Sequence, residues 1–142
     1  EINYSTTIPR IINAGTATVK VTLKGNYSGT ANENFVINKA EGIAQVTMEG
    51  WKYGESAKSP IVTSTTNDIN NVIYTYYTDE GCTLKTTSEQ GATEIGGKPV
   101  NSGLYYVKAV IAETTNYKEV QTTTSFEIKK VIYIFLQNVT IL

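Results

Sequence analysis

Apolar residues fall at every second position wherever the chain carries a pattern. Ala17, Val19, Val21 and Leu23 alternate with Thr18, Lys20, Thr22 and Lys24. Further on, Tyr105, Val107, Ala109 and Ile111 take the same alternate positions. A period of two sends successive side chains to opposite faces, so each segment predicts a strand with one buried and one wet face. Turns follow at Asn26-Tyr27-Ser28-Gly29 and at Thr115-Asn116-Tyr117, where Asn and Gly tolerate tight backbone. Return strands then end at Phe35 and Ile37, and at Phe126 and Ile128. Each unit reads as a β-hairpin whose tip tyrosine folds back over the end of the core and keeps its hydroxyl wet.

Other strands are expected at Ile43 to Met48, near Ile61-Val62-Thr63, at Val72 to Tyr77 and, briefly, at Cys82 to Lys85. Asn67, Asp68, Asn70 and Asn71 mark a turn between two of them. Thr, Val, Ile and Tyr dominate these stretches, and no apolar set recurs with a helical period. The expected class is all-β.

The two hairpins resemble each other. Asn13-Ala14-Gly15 aligns with Asn101-Ser102-Gly103, Val19-Lys20 with Val107-Lys108, and Gly25-Asn26-Tyr27 with Thr115-Asn116-Tyr117. Phe35-Val36-Ile37-Asn38-Lys39 aligns with Phe126-Glu127-Ile128-Lys129-Lys130. Ordered self-similarity of this kind predicts a repeat. Residues 40–130 then form one complete module of Ig-like, antiparallel β-sandwich size. Residues 1–39 read as the C-terminal hairpin of a truncated preceding repeat, and 131–142 as an apolar tail, expected as an added strand. Glu1-Ile2-Asn3 reads as the start of an excerpt or a processed product. A half-module leaves an open edge and a bare apolar face, so residues 1–39 are expected to pair with the tail or another chain.

The segments Gly25-Asn26-Tyr27-Ser28-Gly29-Thr30 and Phe35-Val36-Ile37-Asn38-Lys39-Ala40 resemble the end of a repeat common in large bacterial surface and adhesin-like proteins. Trp51-Lys52-Tyr53-Gly54-Glu55 stands where the Tyr-Gly signature of the YGX-type repeats of such proteins belongs. The resemblance covers about residues 13 to 130. It implies an Ig-like sandwich, export to the bacterial cell surface or medium, tandem arrangement and no catalytic residues. The missing front half of the first copy, and the strongly apolar Val131 to Leu136, depart from the pattern.

The 142 residues carry a formal net charge of -1, with no basic stripe to bind nucleic acid. The tail is too short for a membrane-spanning helix, which takes about 20 residues, so no membrane insertion is expected. There is no histidine and one cysteine, Cys82. That removes histidine-based nucleophile systems, multi-cysteine zinc sites and an internal disulfide. Asp79-Glu80-Gly81 reads as a solvated turn rather than a calcium site, which needs six to eight oxygens. No enzyme, metal or cofactor is expected. Lys20 and Lys108 hold matching mid-strand positions that a Lys-Asn isopeptide crosslink would use, with solvent as the simpler destination.

Aromatic residues carry the remaining functional signal. Tyr76-Tyr77 and Tyr105-Tyr106 are neighbours, so each pair sends one ring to each face. Trp51, Tyr53, Tyr74, Tyr76 and Tyr106 are the candidate ligand contacts. Cross-strand aromatic pairing is the simpler use of such rings. Two functions follow: a spacer or stalk repeat whose partners are neighbouring repeats, or a module binding a host glycan or protein through a tyrosine-rich face.

Overall fold

The computed structural model describes residues 11–87 and 97–132. Among them every regular element is a strand. Gly15–Thr22 (β1) and Thr30–Ile37 (β2) form a two-stranded antiparallel sheet. Ala44–Thr47 (β3) pairs antiparallel with Ile61–Ser64 (β5) in a second sheet. The third sheet runs in the order β4-β8-β7-β6. Its strands are Trp51–Lys52 (β4), Val72–Tyr77 (β6), Gly103–Ile111 (β7) and Val120–Lys129 (β8).

The core lies on one face of that third sheet. Tyr105, Val107, Ala109 and Ile111 of β7 are buried, as the alternation predicts. Phe126 and Ile128 of β8, and Tyr76 of β6, join them. Val46 of β3 and Val62 of β5 cover this face, and Met48, Val72 and Val120 pack at its margin. The Phe126 ring is central. It stacks on Trp51 at 5.3 Å and on Tyr105 at 5.9 Å, and meets Tyr76 edge-on at 6.1 Å. Offset-stacked and edge-to-face rings each gain about 0.5–1.5 kcal/mol beyond the area they bury.

β4 is the element that periodicity does not foresee. It runs parallel to β8, with Trp51 opposite Ile128 and Lys52 opposite Lys129, and the Tyr53 N–H extends the ladder to the Lys129 carbonyl at 2.8 Å. Gly50 permits this approach, because a Cβ there would collide with the Glu127 carbonyl. The Cys82 to Lys85 segment, by contrast, is not a strand. Asp79 shapes it into a turn: its carboxylate accepts from the Leu84 N–H at 2.6 Å and from the Thr83 N–H and hydroxyl. The Leu84 N–H foremost holds the Asp79 carboxyl below its ordinary range; desolvation opposes it, and the Thr83 N–H and hydroxyl add to the lowering. Cys82 sits at φ 53 within the turn, and only Lys85 bridges to Tyr77.

The two hairpins share one register. Gly15 faces Ile37 as Gly103 faces Ile128, and Ala17 faces Phe35 as Tyr105 faces Phe126. Register decides which face every side chain takes, so Val19, Val21 and Leu23 occupy the positions of Val107, Ala109 and Ile111. The surroundings differ. Val107, Ala109 and Ile111 are fully buried, whereas Val19 is 48 % exposed and Phe35 42 %. Among the described residues, β1 and β2 pair with no third strand, so the expected cover is not found there. The proposed pairing partner beyond Ile132 lies outside the described residues. Tyr27 also departs from expectation: it is 75 % exposed instead of folding back, while Tyr117 is half-buried.

Two predictions follow from this contrast between twin positions and from the buried rings. Phe126→Ala should cost about 3–5 kcal/mol, and Phe35→Ala less than about 0.5 kcal/mol, in denaturant unfolding of the same chain. Burial, with Tyr74 adding to it, pushes the Tyr76 hydroxyl from 10.0 up to about 12. Between those values the unfolded chain releases the proton and the folded chain keeps it. Stability is therefore complete below pH 10.0 and falls as pH rises toward about 12. Chemical unfolding across that range, with phenolate absorbance of wild type and Tyr76→Phe, checks both the window and its owner.

Candidate functional site

The aromatic candidates do not gather on one surface. Trp51 and Tyr76 are buried core residues on the Phe126 ring. Tyr74 is half-buried and packs against the same core. Tyr106 is half-buried on the opposite face of the sheet, paired with Tyr77. Only Tyr53 among the five is exposed. The neighbour rule holds for direction: Tyr76 and Tyr105 point to the core face, Tyr77 and Tyr106 away from it. Tyr77 is nonetheless buried, with the Lys108 ammonium 5.5 Å from its ring centre. Such a cation over an aromatic face is attracted by about 0.5–1 kcal/mol at an exposed site. Lys20, its twin, is exposed.

What the fold does assemble is a polar junction between the base of one hairpin and the tip of the other. Asn116, in the loop between β7 and β8, is its centre. The Asn116 Oδ1 accepts from the Ala14 N–H at 2.7 Å, and its Nδ2 donates to the Asn13 Oδ1 at 3.0 Å. Its main-chain carbonyl accepts from the Ala40 N–H at 2.8 Å, and the Lys118 N–H donates to the Ala40 carbonyl at 2.9 Å. One asparagine thus grips both ends of the β1–β2 hairpin, at Asn13-Ala14 and at Ala40. Two ion pairs flank it: Lys39 with Glu113 at 2.8 Å, and Lys118 with Glu41. Glu113, Lys118 and Glu41 are exposed and Lys39 is half-buried, and surface pairs of that kind contribute at most about 1 kcal/mol each.

The tip loop is held from behind by Asn67, which is buried. Its Nδ2 donates to the carbonyls of Ala112 at 2.8 Å and Lys118 at 3.0 Å, and its Oδ1 accepts from the Thr66 hydroxyl at 2.7 Å. The Asn67 N–H in turn donates to the Ser64 hydroxyl at 2.9 Å. Leaving a buried amide unpaired costs about 1–3 kcal/mol, so this network fixes the loop geometry. Gly42 is part of it: a Cβ there would lie 2.7 Å from the Asn67 Oδ1 and 2.8 Å from the Lys118 carbonyl. Asn reads first as a turn residue, so neither Asn67 nor Asn116 stands out in the sequence as a clasp. The usable signal is the recurrence of the Asn13 and Asn116 motifs as Asn101 and Asn26.

Compared with family models, curated proteins and solved structures, the chain matches none. Among the described residues, no three His, Cys, Asp or Glu side chains converge to hold a metal ion. No described helix is long and apolar enough to cross a membrane. The Asp79 oxygens are engaged within their own turn. Open grooves lie on the described surface. One lies over Gly50, Trp51, Lys52, Glu55, Glu127 and Lys129. Another is lined by Tyr53, Asn101, Ser102, Lys130 and Val131, at the base of β7–β8.

Asn116→Ala removes the side-chain half of the clasp. It is expected to raise hydrogen-exchange rates at Ala14 while leaving those of β7 and Val46 unchanged, because the side chain's hydrogen bonds go to Asn13 and Ala14. Equal loosening of hairpin and core would show that the junction is not a separate element.

Proposed function

We propose that the chain is a spacer or stalk segment of a tandem, Ig-like β-sandwich array on a bacterial surface or secreted protein, without enzymatic activity. The shared register of the two hairpins carries this reading. Residues 40–130 make one module, in which β3 and β5 cover the apolar face of β7–β8. The β1–β2 hairpin has the same register, and on its corresponding face Ala17 is buried while Val19, Val21, Leu23 and Phe35 are exposed. An isolated two-stranded hairpin is marginal in water, and fully covering an aliphatic side chain contributes about 1.5–3 kcal/mol. We read the β1–β2 hairpin as the closing half of another module, whose front half resembles β3 and β5.

The junction supports the same reading. Its partners are successive units of one chain, joined through Lys39-Ala40, and repeat proteins stabilise themselves through such neighbour contacts. Burial of Trp51 and Tyr76 favours the spacer over a ligand-binding tyrosine face.

The test is a chain that supplies the missing cover. Residues 40–100 are placed directly before Asn13, the counterpart of Asn101, ahead of the remaining sequence. Val19, Val21 and Phe35 amides should then become protected from exchange to the level of Val107 and Phe126. Unchanged exchange at β1 and β2 would remove the module assignment and, with it, the spacer proposal.

A further inference from the structure

Among the described residues, the junction around Asn116 has an unfilled counterpart at the base of β7–β8. The base that Asn116 grips consists of Asn13, Ala14, Lys39 and Ala40. By the common register these correspond to Asn101, Ser102, Lys130 and Val131. Those four residues, with Tyr53, line an open groove. Two unrelated observations, repeat alignment and surface shape, therefore mark the same place.

The groove is presented for contact. Asn101 is tied down through its main chain, since its carbonyl accepts from the Tyr105 hydroxyl at 3.0 Å, while the residue itself is exposed. The Tyr105 ring reaches that carbonyl by lying across Gly103, where a Cβ would come within 3.2 Å of the ring. The base is thus braced by a buried core tyrosine. Lys130 is exposed beside it and holds the position of Lys39, which pairs with Glu113.

We propose that this groove is a docking surface for the closing-hairpin tip of a second copy of the 40–130 module. The incoming Asn116 side chain would accept from the Ser102 N–H and donate to the Asn101 Oδ1, and its Glu113 would meet Lys130. The contact repeats the one already present inside the chain, base on tip, so successive modules would follow one another by the same operation. A heterologous contact of this kind propagates rather than closes. The proposal rests on the tandem reading above and assigns its contact surface.

The experiment uses residues 1–130 followed directly by a second copy of 40–142, so that the linker supplies a local concentration of millimolar order. Both copies carry Cys82→Ser. One arm adds Asn13→Cys with Asn116→Cys in the first module, reporting the existing junction. The other adds Asn101→Cys with Asn116→Cys in the appended copy. Crosslinking is read by mass after mild oxidation. Both arms should crosslink, and Lys130→Glu should slow the second arm about two- to fivefold, the scale of an exposed ion pair. In the same extended chain without added cysteines, the Ser102 amide should become protected from exchange relative to the 142-residue chain. A crosslink in the first arm alone, with Ser102 still exchanging freely, overturns the docking surface and leaves the tandem reading intact. Failure of both arms overturns the junction as well as the surface built on it.

Discussion

The Phe126 ring holds this molecule's core together. It touches Trp51, Tyr76 and Tyr105, which come from three different strands, and so ties β4, β6 and β7 to β8 through one side chain. The position is set by register: Tyr105 faces Phe126 and Gly103 faces Ile128, and a slip of one residue would turn both rows toward solvent. Glycines make room where rings and strands press closest. Gly50 lets β4 reach the Glu127 carbonyl, and Gly103 lets the Tyr105 ring lie flat across the backbone.

The same register without the same cover produces a different object. In β1 and β2 the positions of Tyr105 and Phe126 are held by Ala17 and Phe35, and those of Val107 and Ile111 by Val19 and Leu23. The backbone pairing is complete, yet the apolar side chains remain largely in water. Hydrogen bonds between two strands define the hairpin but contribute little net stability. What holds it to the rest of the chain is polar: Asn116, the Ala40 main chain and the Lys39–Glu113 pair. Among the described residues, the contacts that tie this greasy face to the rest of the chain are polar ones at its base, which fits an element that receives further packing.

Alternation made the long strands legible. Val72 to Tyr77 matches β6 residue for residue, and the buried row Tyr105, Val107, Ala109 and Ile111 is as the period of two requires. Ile43 to Met48 narrows to Ala44–Thr47. Shorter features escaped, each for a physical reason. β4 has two residues, too few for any period, and exists because Trp51 has Phe126 to stack on. Cys82 to Lys85 looks like a strand in composition, but Asp79 captures its amides. The aromatic candidates failed to assemble because the sheet buries rings on both faces: Tyr76 in the core, Tyr77 under Lys108 on the other side. The clasp by Asn116 depends on residues far apart in sequence, which no local pattern encodes.

The places of Ala40 and Lys130 have a mechanical consequence. Ala40 enters beside Tyr117, at the tip of β7–β8, and Lys130 leaves at its base. β8 spans ten residues, or roughly 33 Å at the rise of an extended strand. Tension between those two points would run along the strands and shear them past one another rather than unzip them bond by bond. The parallel grip of Trp51–Lys52 on Ile128–Lys129 lies in line with that pull. Its hydrogen bonds would share the load at once, so the small strand beside Gly50 would act as the latch that a stretched chain must break first.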